Sequence, residues 1–213
     1  MLNLTRTWEK NHPQWDHRLW DAYKIDAFLN KHYPLFIPEY SKFKYSVQGW
    51  DAIRYLLIYH YGGLYVDMDY ESLEPIDKII ENCDCFFGEE PEEHKPSDLN
   101  IYIGNSLFGS RKHHPFIRLL VKMCFETPVN IIERDKIQYV LETTGPLMVT
   151  RMYNDFSLKQ DVTLLPAHLV SPWSVTEAQF MLSGHYTSIM EEKLEKSCCV
   201  HYFFGSWLEK QKI

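Results

Sequence analysis

Between Gln48 and Asp77 the apolar positions recur first at helical spacing and then as a short continuous run. Trp50, Ile53, Leu57 and Tyr61 form one stripe, with Leu56 beside them, because residues three and four apart share a helix face. Gly62-Gly63 ends the stripe, since glycine enters the left-handed backbone that a helix terminus needs. Leu64 to Asp67 then reads as a short buried strand. It delivers Asp67-Met68-Asp69, whose carboxylates share parity and project to one side of an extended chain.

The rest of the chain alternates in the same way. Trp15 to Trp20, after a turn at Pro13, reads as a short strand, and Ile25 to Tyr33 as a helix closed by Pro34. Pro38 to Tyr45 is a loop. Ser72 to Pro75 looks like a strand end, and Ile76 to Glu81 like a short helix. Cys83 to Gly88 and Ile101 to Gly109 have strand character. Pro115 to Phe125 is amphipathic, with Phe116, Leu119, Leu120 and Met123 on one stripe. Thr144-Gly145-Pro146 opens a further helix, with a capping hydroxyl and a proline in its first turn. Val162 to Leu165 is a strand, Glu191 to Lys196 a charged helix or turn, and Cys198 to Phe204 the last strand. Alternation of this kind predicts an α/β layer architecture over residues 1–213 as one domain, with ligands at the carboxyl ends of the strands.

Composition narrows the chemistry. The chain has 213 residues, 45% of them apolar, enough for a substantial core. Its net charge of −7 argues against a nucleic-acid partner, which needs clustered Lys and Arg. The five cysteines, Cys83, Cys85, Cys124, Cys198 and Cys199, show no zinc spacing and no disulfide framework, so they read as reduced thiols of a cytoplasmic protein. No apolar run reaches transmembrane length and no signal peptide opens the chain, so membrane association is expected to be peripheral.

Two carboxylates at a strand end make a hard oxygen site for Mg²⁺ or Mn²⁺, with positions left for phosphate oxygens. The first expectation is therefore a metal-assisted enzyme acting on a phosphorylated substrate. Asp51 and Arg54 are neighbours on the helix, either as a surface ion pair worth little or as part of the site. The acidic run from Glu89 to Asp98 reads as a solvated loop rather than a second metal site.

The composite of Asp51, Arg54 and Tyr55 with Tyr61-Gly62-Gly63-Leu64-Tyr65-Val66-Asp67-Met68-Asp69 resembles the DXD-containing glycosyltransferases of the sugar-binding-region family. That family takes in the yeast initiation-specific mannosyltransferase and, at a distance, the clostridial glucosylating toxins. The resemblance implies a GT-A-like nucleotide-sugar-binding fold, with a central, mostly parallel sheet flanked by helices. It implies a UDP- or GDP-sugar donor, Mn²⁺ or Mg²⁺, and a glycan or lipid-linked acceptor in capsule, lipopolysaccharide or glycoprotein assembly. Transfer is expected to proceed with retention. By the same resemblance Asp67 faces the ribose and sugar, and Asp69 binds the metal that bridges the diphosphate. Arg54 touches the diphosphate or sugar, and Asp51 accepts from a sugar hydroxyl. Asn105 contacts the transferred sugar or positions the acceptor. His201 completes the metal shell, and Trp207, in Ser206-Trp207, shields the diphosphate. Thr144-Gly145-Pro146 lines the site, and Glu71 joins the metal at most through water. The family opens with a further strand whose end carries a tryptophan for the base. Only Met1 to Thr5 precede the match here, which leads to an expectation of weak base recognition unless Trp8 or Trp20 substitutes.

Two other classes remain open from the sequence. A haloacid-dehalogenase-like phosphatase also has Asp-x-Asp after an apolar strand, with the first Asp as nucleophile, but Glu71 stands where it wants Thr or Val. A non-catalytic nucleotide-sugar-binding protein is the third.

Overall fold

A computed structural model of the protein describes residues 4–126 and 135–205. Thr5–Asn11 forms α1, Ala22–His32 α2, Ile37–Tyr40 α3 and Ser46–Tyr61 α4. Gly63–Val66 is β1, Tyr70–Ser72 β2, Asp77–Ile80 α5 and Cys85–Glu89 β3. Ile103–Ser110 is β4, Pro115–Phe125 α6, Lys136–Thr143 α7 and Pro146–Asp155 α8. Thr163–Leu165 is β5, Ala167–Val170 α9, Val175–Leu182 α10, Ser188–Leu194 α11 and Cys199–His201 β6.

Helix α4 is the expected apolar stripe. Its first turn is closed by Gln48, whose Oε1 accepts from the Tyr45 amide at 3.1 Å. Its end falls at Gly62, which sits at φ +71° and donates to the Ile58 carbonyl. A Cβ at Gly62 would come within 3.0 Å of the Lys112 amide nitrogen. From Val47 to Ile58 every residue except Trp50 is buried. A helix wrapped on nearly all sides belongs to the core, and α4 packs between the sheet and α6.

The main sheet has the order β1-β4-β3-β5. The α/β class and the flanking helices agree with the sequence reading. The strand directions differ from the mostly parallel sheet expected: β1 and β3 both run antiparallel to β4, and the β3–β5 pair is parallel. The connections explain this. A loop joins β3 to β4, and an antiparallel pair needs no crossover, whereas β5 is reached through α6, α7 and α8. A second, two-stranded sheet pairs β2 with β6, setting Tyr70 opposite His201.

The core lies between α4, α6 and one face of the main sheet, where Leu56, Phe87, Phe108, Phe116 and Leu120 are fully buried. The rings of Phe87 and Phe108 stack at 4.8 Å. A smaller cluster of Trp8, Tyr70, Phe86, Leu107 and Cys199 sits where the two sheets meet.

Residues 15–20 form no strand. Among the described residues no strand pairs with them, and side chains hold the segment instead: Trp15 Nε1 donates to Asp77 at 3.2 Å and His17 bonds the His12 carbonyl at 2.9 Å. All five cysteines are free thiols, as expected. Among the described residues no helix is long and apolar enough to cross a membrane.

Candidate active site

The site begins where β1 ends. The Asp67 amide donates to the Ser106 carbonyl at 2.8 Å, and the Tyr70 amide donates to the Asp67 carbonyl at 3.1 Å. Asp67-Met68-Asp69 is therefore a tight turn between β1 and β2, with Met68 64% exposed at its tip. The Asp67 carboxylate accepts from the Tyr65 hydroxyl at 2.6 Å and lies 3.5 Å from Arg54 Nη1. Asp69 turns toward β6. Its Oδ1 is 3.1 Å from His201 Nε2, and its Oδ2 accepts from the Phe204 amide at 2.9 Å. Burial works to raise the Asp69 carboxyl, but His201 and the Phe204 N–H outweigh it and hold the group below its usual range.

Asp67, Asp69 and His201 thus converge, each offering one ligand atom within 4.8 Å of the others. Two carboxylates and an imidazole fit a hard or borderline divalent ion. The His201 ring is fixed by stacking on Tyr70 at 4.3 Å, and its buried Nδ1 has no partner among the described residues.

Behind this cluster lies a buried polar network. Asp51 and Arg54 are not a surface pair: they are 4% and 6% exposed, with Arg54 Nη2 3.2 Å from Asp51 Oδ1. Asp51 also accepts from Asn105 Nδ2 at 3.0 Å and from the Thr144 hydroxyl at 2.8 Å. Asn105 gives its other amide hydrogen to the Tyr55 hydroxyl at 2.9 Å, and that hydroxyl donates to the Thr144 carbonyl at 2.7 Å. Arg54 Nη1 donates to the Asn105 carbonyl at 2.9 Å, and the guanidinium lies over the Tyr65 ring. Burial is the largest influence on Asp51 and pushes its carboxyl up to about 6 despite the Arg54 charge. Burial alone would weaken the Arg54 charge, but Asp67 first, then Tyr65 and Asp51, reverse that and its pKa is raised.

The network and the cluster border one cleft of about 1540 Å³, whose walls include Trp20, Trp50, Arg54, Asp67, Asp69 and His201. Asp51, Arg54, Asn105, Asp67, Asp69 and His201 are thus brought together, although Asp51 spends both oxygens inside the protein. Trp207 lies outside the described residues. Glu71 stands apart from the cluster and accepts from the Tyr202 hydroxyl at 2.6 Å. His114 caps α6, accepting from the Phe116 amide. Trp8 is 5% exposed and donates to the Tyr70 carbonyl, and both it and Trp20 border the cleft. The acidic loop is solvated at Glu92 and Glu93 as expected, but Glu90 and His94 turn inward onto the cleft. Their i, i+4 spacing within that run was the available signal. Thr144 does more than start a helix that lines the site, and Tyr65 does more than pack: each hydroxyl holds a site carboxylate.

Residues 1–85 match the family described as glycosyltransferase sugar-binding region containing DXD motif. The likeness to that family is confined to this stretch, 85 of the chain's 213 residues. Inositol phosphoceramide mannosyltransferase 1 of Schizosaccharomyces pombe is 28% identical over 172 residues, which cover 78% of this chain and 51% of that protein. Initiation-specific alpha-1,6-mannosyltransferase of the same yeast is 24% identical over 97% of this chain and 60% of its own length. The chain thus spans about half the length of the first of these curated relatives. The solved structure of PaToxG glycosyltransferase aligns over 83% of this chain and 60% of its own at 16% identity, with a TM-score of 0.38. The family match begins before α1 and ends at the first residue of β3, so it includes Asp51, Arg54, Asp67 and Asp69. Asn105 and His201 lie beyond it.

Proposed function

We propose that the chain is a metal-dependent glycosyltransferase that moves a hexose from a UDP- or GDP-sugar to a glycan or glycolipid. The observation that carries this reading is the convergence of Asp67, Asp69 and His201 beside a charged, buried arginine in one cleft. Asp69 and His201, with Asp67, would hold Mn²⁺ or Mg²⁺, which supplies positive charge against the negative charge gathering on the leaving diphosphate. Arg54 adds a fixed cation at the same side, held by Asp67 and the Asn105 carbonyl, so no reorganisation is needed when that charge develops. Asp51 acts as a positioning residue: it orients Arg54 and Asn105, and through Thr144 ties both to the start of α8. Asp67, steadied by Tyr65, is the carboxylate next to the ribose and sugar. Transfer with retention, by a front-face path in which a leaving oxygen takes the acceptor proton, needs no protein nucleophile.

The acceptor class follows the relatives. The first bears the name inositol phosphoceramide mannosyltransferase, which favours a glycolipid as the acceptor class. The decisive test is calorimetry with UDP and GDP, in Mn²⁺ and then in chelator, followed by a thermal-shift screen of nucleotide sugars. Nucleotide affinity that needs the metal, with one sugar donor stabilising most, is the expected result. Equal affinity in both conditions would remove the metal from the proposal. An aspartyl-phosphate adduct at Asp67 after mixing with phosphorylated substrates, with no sugar transfer or donor hydrolysis, would replace it with a phosphatase.

A further inference from the structure

Glu90 stands immediately after β3, on a loop that the acidic run made look fully solvated. Strands β1 and β3 flank β4 and both run against it, so their carboxyl ends open on the same edge of the sheet. Asp67 follows one and Glu90 follows the other. The strand ends Val66 and Glu89 pair with Leu107 and Ile103, so they are separated by the width of β4 and also offset along it. The Glu90 amide donates to the Tyr102 carbonyl at 2.9 Å, which keeps the residue in register with the sheet.

The Glu90 side chain is 11% exposed and sits in the cleft wall. Among the described residues no lysine or arginine pairs with it. Its one partner is His94, whose Nδ1 lies 3.0 Å from Oε2. His94 Nε2 is 2.9 Å from the Val175 amide, which can only donate, so Nε2 accepts and the ring proton of neutral His94 sits on Nδ1, directed at Glu90. This arrangement holds the carboxylate in one orientation and occupies one oxygen. The other, Oε1, lies over Gly104, where a Cβ would come to 2.6 Å from it. Glycine at 104 is what lets the carboxylate lie against β4. Oε1 has no donor among the described residues, so it offers an acceptor position to a ligand in the cleft.

We propose that Glu90 reads the transferred sugar, its Oε1 accepting a hydrogen bond from a ring hydroxyl of the donor hexose across the cleft from Asp67. This rests on the glycosyltransferase reading above and adds a sugar-selecting residue outside the DXD segment. His94 is then the positioning residue that orients it.

The test compares a nucleoside diphosphate with its matching nucleotide sugar, both titrated calorimetrically in Mn²⁺ against the full chain. Glu90→Gln should leave diphosphate affinity within about twofold and weaken the nucleotide sugar about tenfold or more, the scale of losing one charge-assisted hydrogen bond. Glu90→Asp, which withdraws the carboxylate by one methylene, should show the same selective loss and serves if the glutamine variant does not fold. A donor analogue lacking the hydroxyl that Glu90 reads should bind wild type and Glu90→Gln equally. Parallel loss of diphosphate and nucleotide sugar would make Glu90 structural and overturn the proposal. So would unchanged binding of both, or a loss confined to the acceptor KM. Wild type that binds no nucleotide sugar would instead remove the glycosyltransferase reading, and that is seen before any variant is made.

Discussion

Asp69 presents one oxygen to an imidazole and the other to a backbone amide, whereas Glu71, two residues on, faces only a tyrosine hydroxyl. The two acidic side chains should therefore behave differently when neutralised. Asp69→Asn should cut sugar transfer by on the order of a hundred- to a thousandfold, the scale of losing a principal electrostatic stabiliser. Glu71→Gln keeps an oxygen for the Tyr202 hydroxyl and should retain most activity; initial rates with saturating donor would separate them. Tyr55 is a quieter case. Its hydroxyl is at once acceptor for Asn105 and donor to the Thr144 carbonyl. Tyr55→Phe would leave both buried groups short of a partner, and urea unfolding should show a loss of about 1–3 kcal/mol. Asp51 gives a pH signature. Its carboxyl is raised from 3.8 to about 6 by burial, so the folded state holds that proton more tightly than the unfolded chain does. The stability this group contributes is full below about 4 and is lost as pH rises through about 6. The Tm of wild type relative to Asp51→Asn should accordingly fall between pH 4 and 6 and then stay level.

The helix–Gly–Gly–strand unit was the most legible element, because its period changes sharply at Gly62 and both halves are apolar enough to be buried whatever surrounds them. Gly62→Ala puts a side chain at φ +71° and against backbone at 3.0 Å. A loss of about 1–3 kcal/mol is expected from this essentially glycine-only backbone conformation alone, readable as a drop in Tm of roughly 2–4 °C per kcal/mol. Helix α6 was likewise read to its ends, since Pro115 opens it and its stripe is strong. Strand direction was not legible: period-two alternation is the same in parallel and antiparallel sheets, so the run of β4 against β1 and β3 shows only in the pairing. The supposed strand at residues 15–20 has the right residues but no neighbour to pair with. For the candidate site, Asp51, Arg54, Asp67 and Asp69 were visible in one segment. Their supports were not, because Thr144 and Tyr65 act through single hydroxyls, and His94 fixes Glu90 only once Val175, 81 positions away, donates to it.

At the scale of the whole molecule, ligand should act as a stabiliser by mass action. Nucleotide with Mn²⁺ at a hundred times its Kd would add about 2.7 kcal/mol to unfolding free energy, and chelator should abolish that gain in a melting scan. The small sheet has a further consequence. Thr7 and Asn11 of α1 bond Ser72 of β2, β2 pairs with β6, and His201 of β6 meets Asp69 across 132 positions of sequence. Residues near both ends of the described chain are therefore stitched together at the point where a cation would sit. Any ion shared by Asp69 and His201 works as a clasp on that seam, and by linkage whatever loosens the seam also weakens the ion's hold. Amide protons of residues 199–204 should exchange with solvent more slowly when Mn²⁺ is added, while those of α6 keep their rates. In that sense such an ion would be a part of the wall, closing the enclosure in which it would do its chemistry.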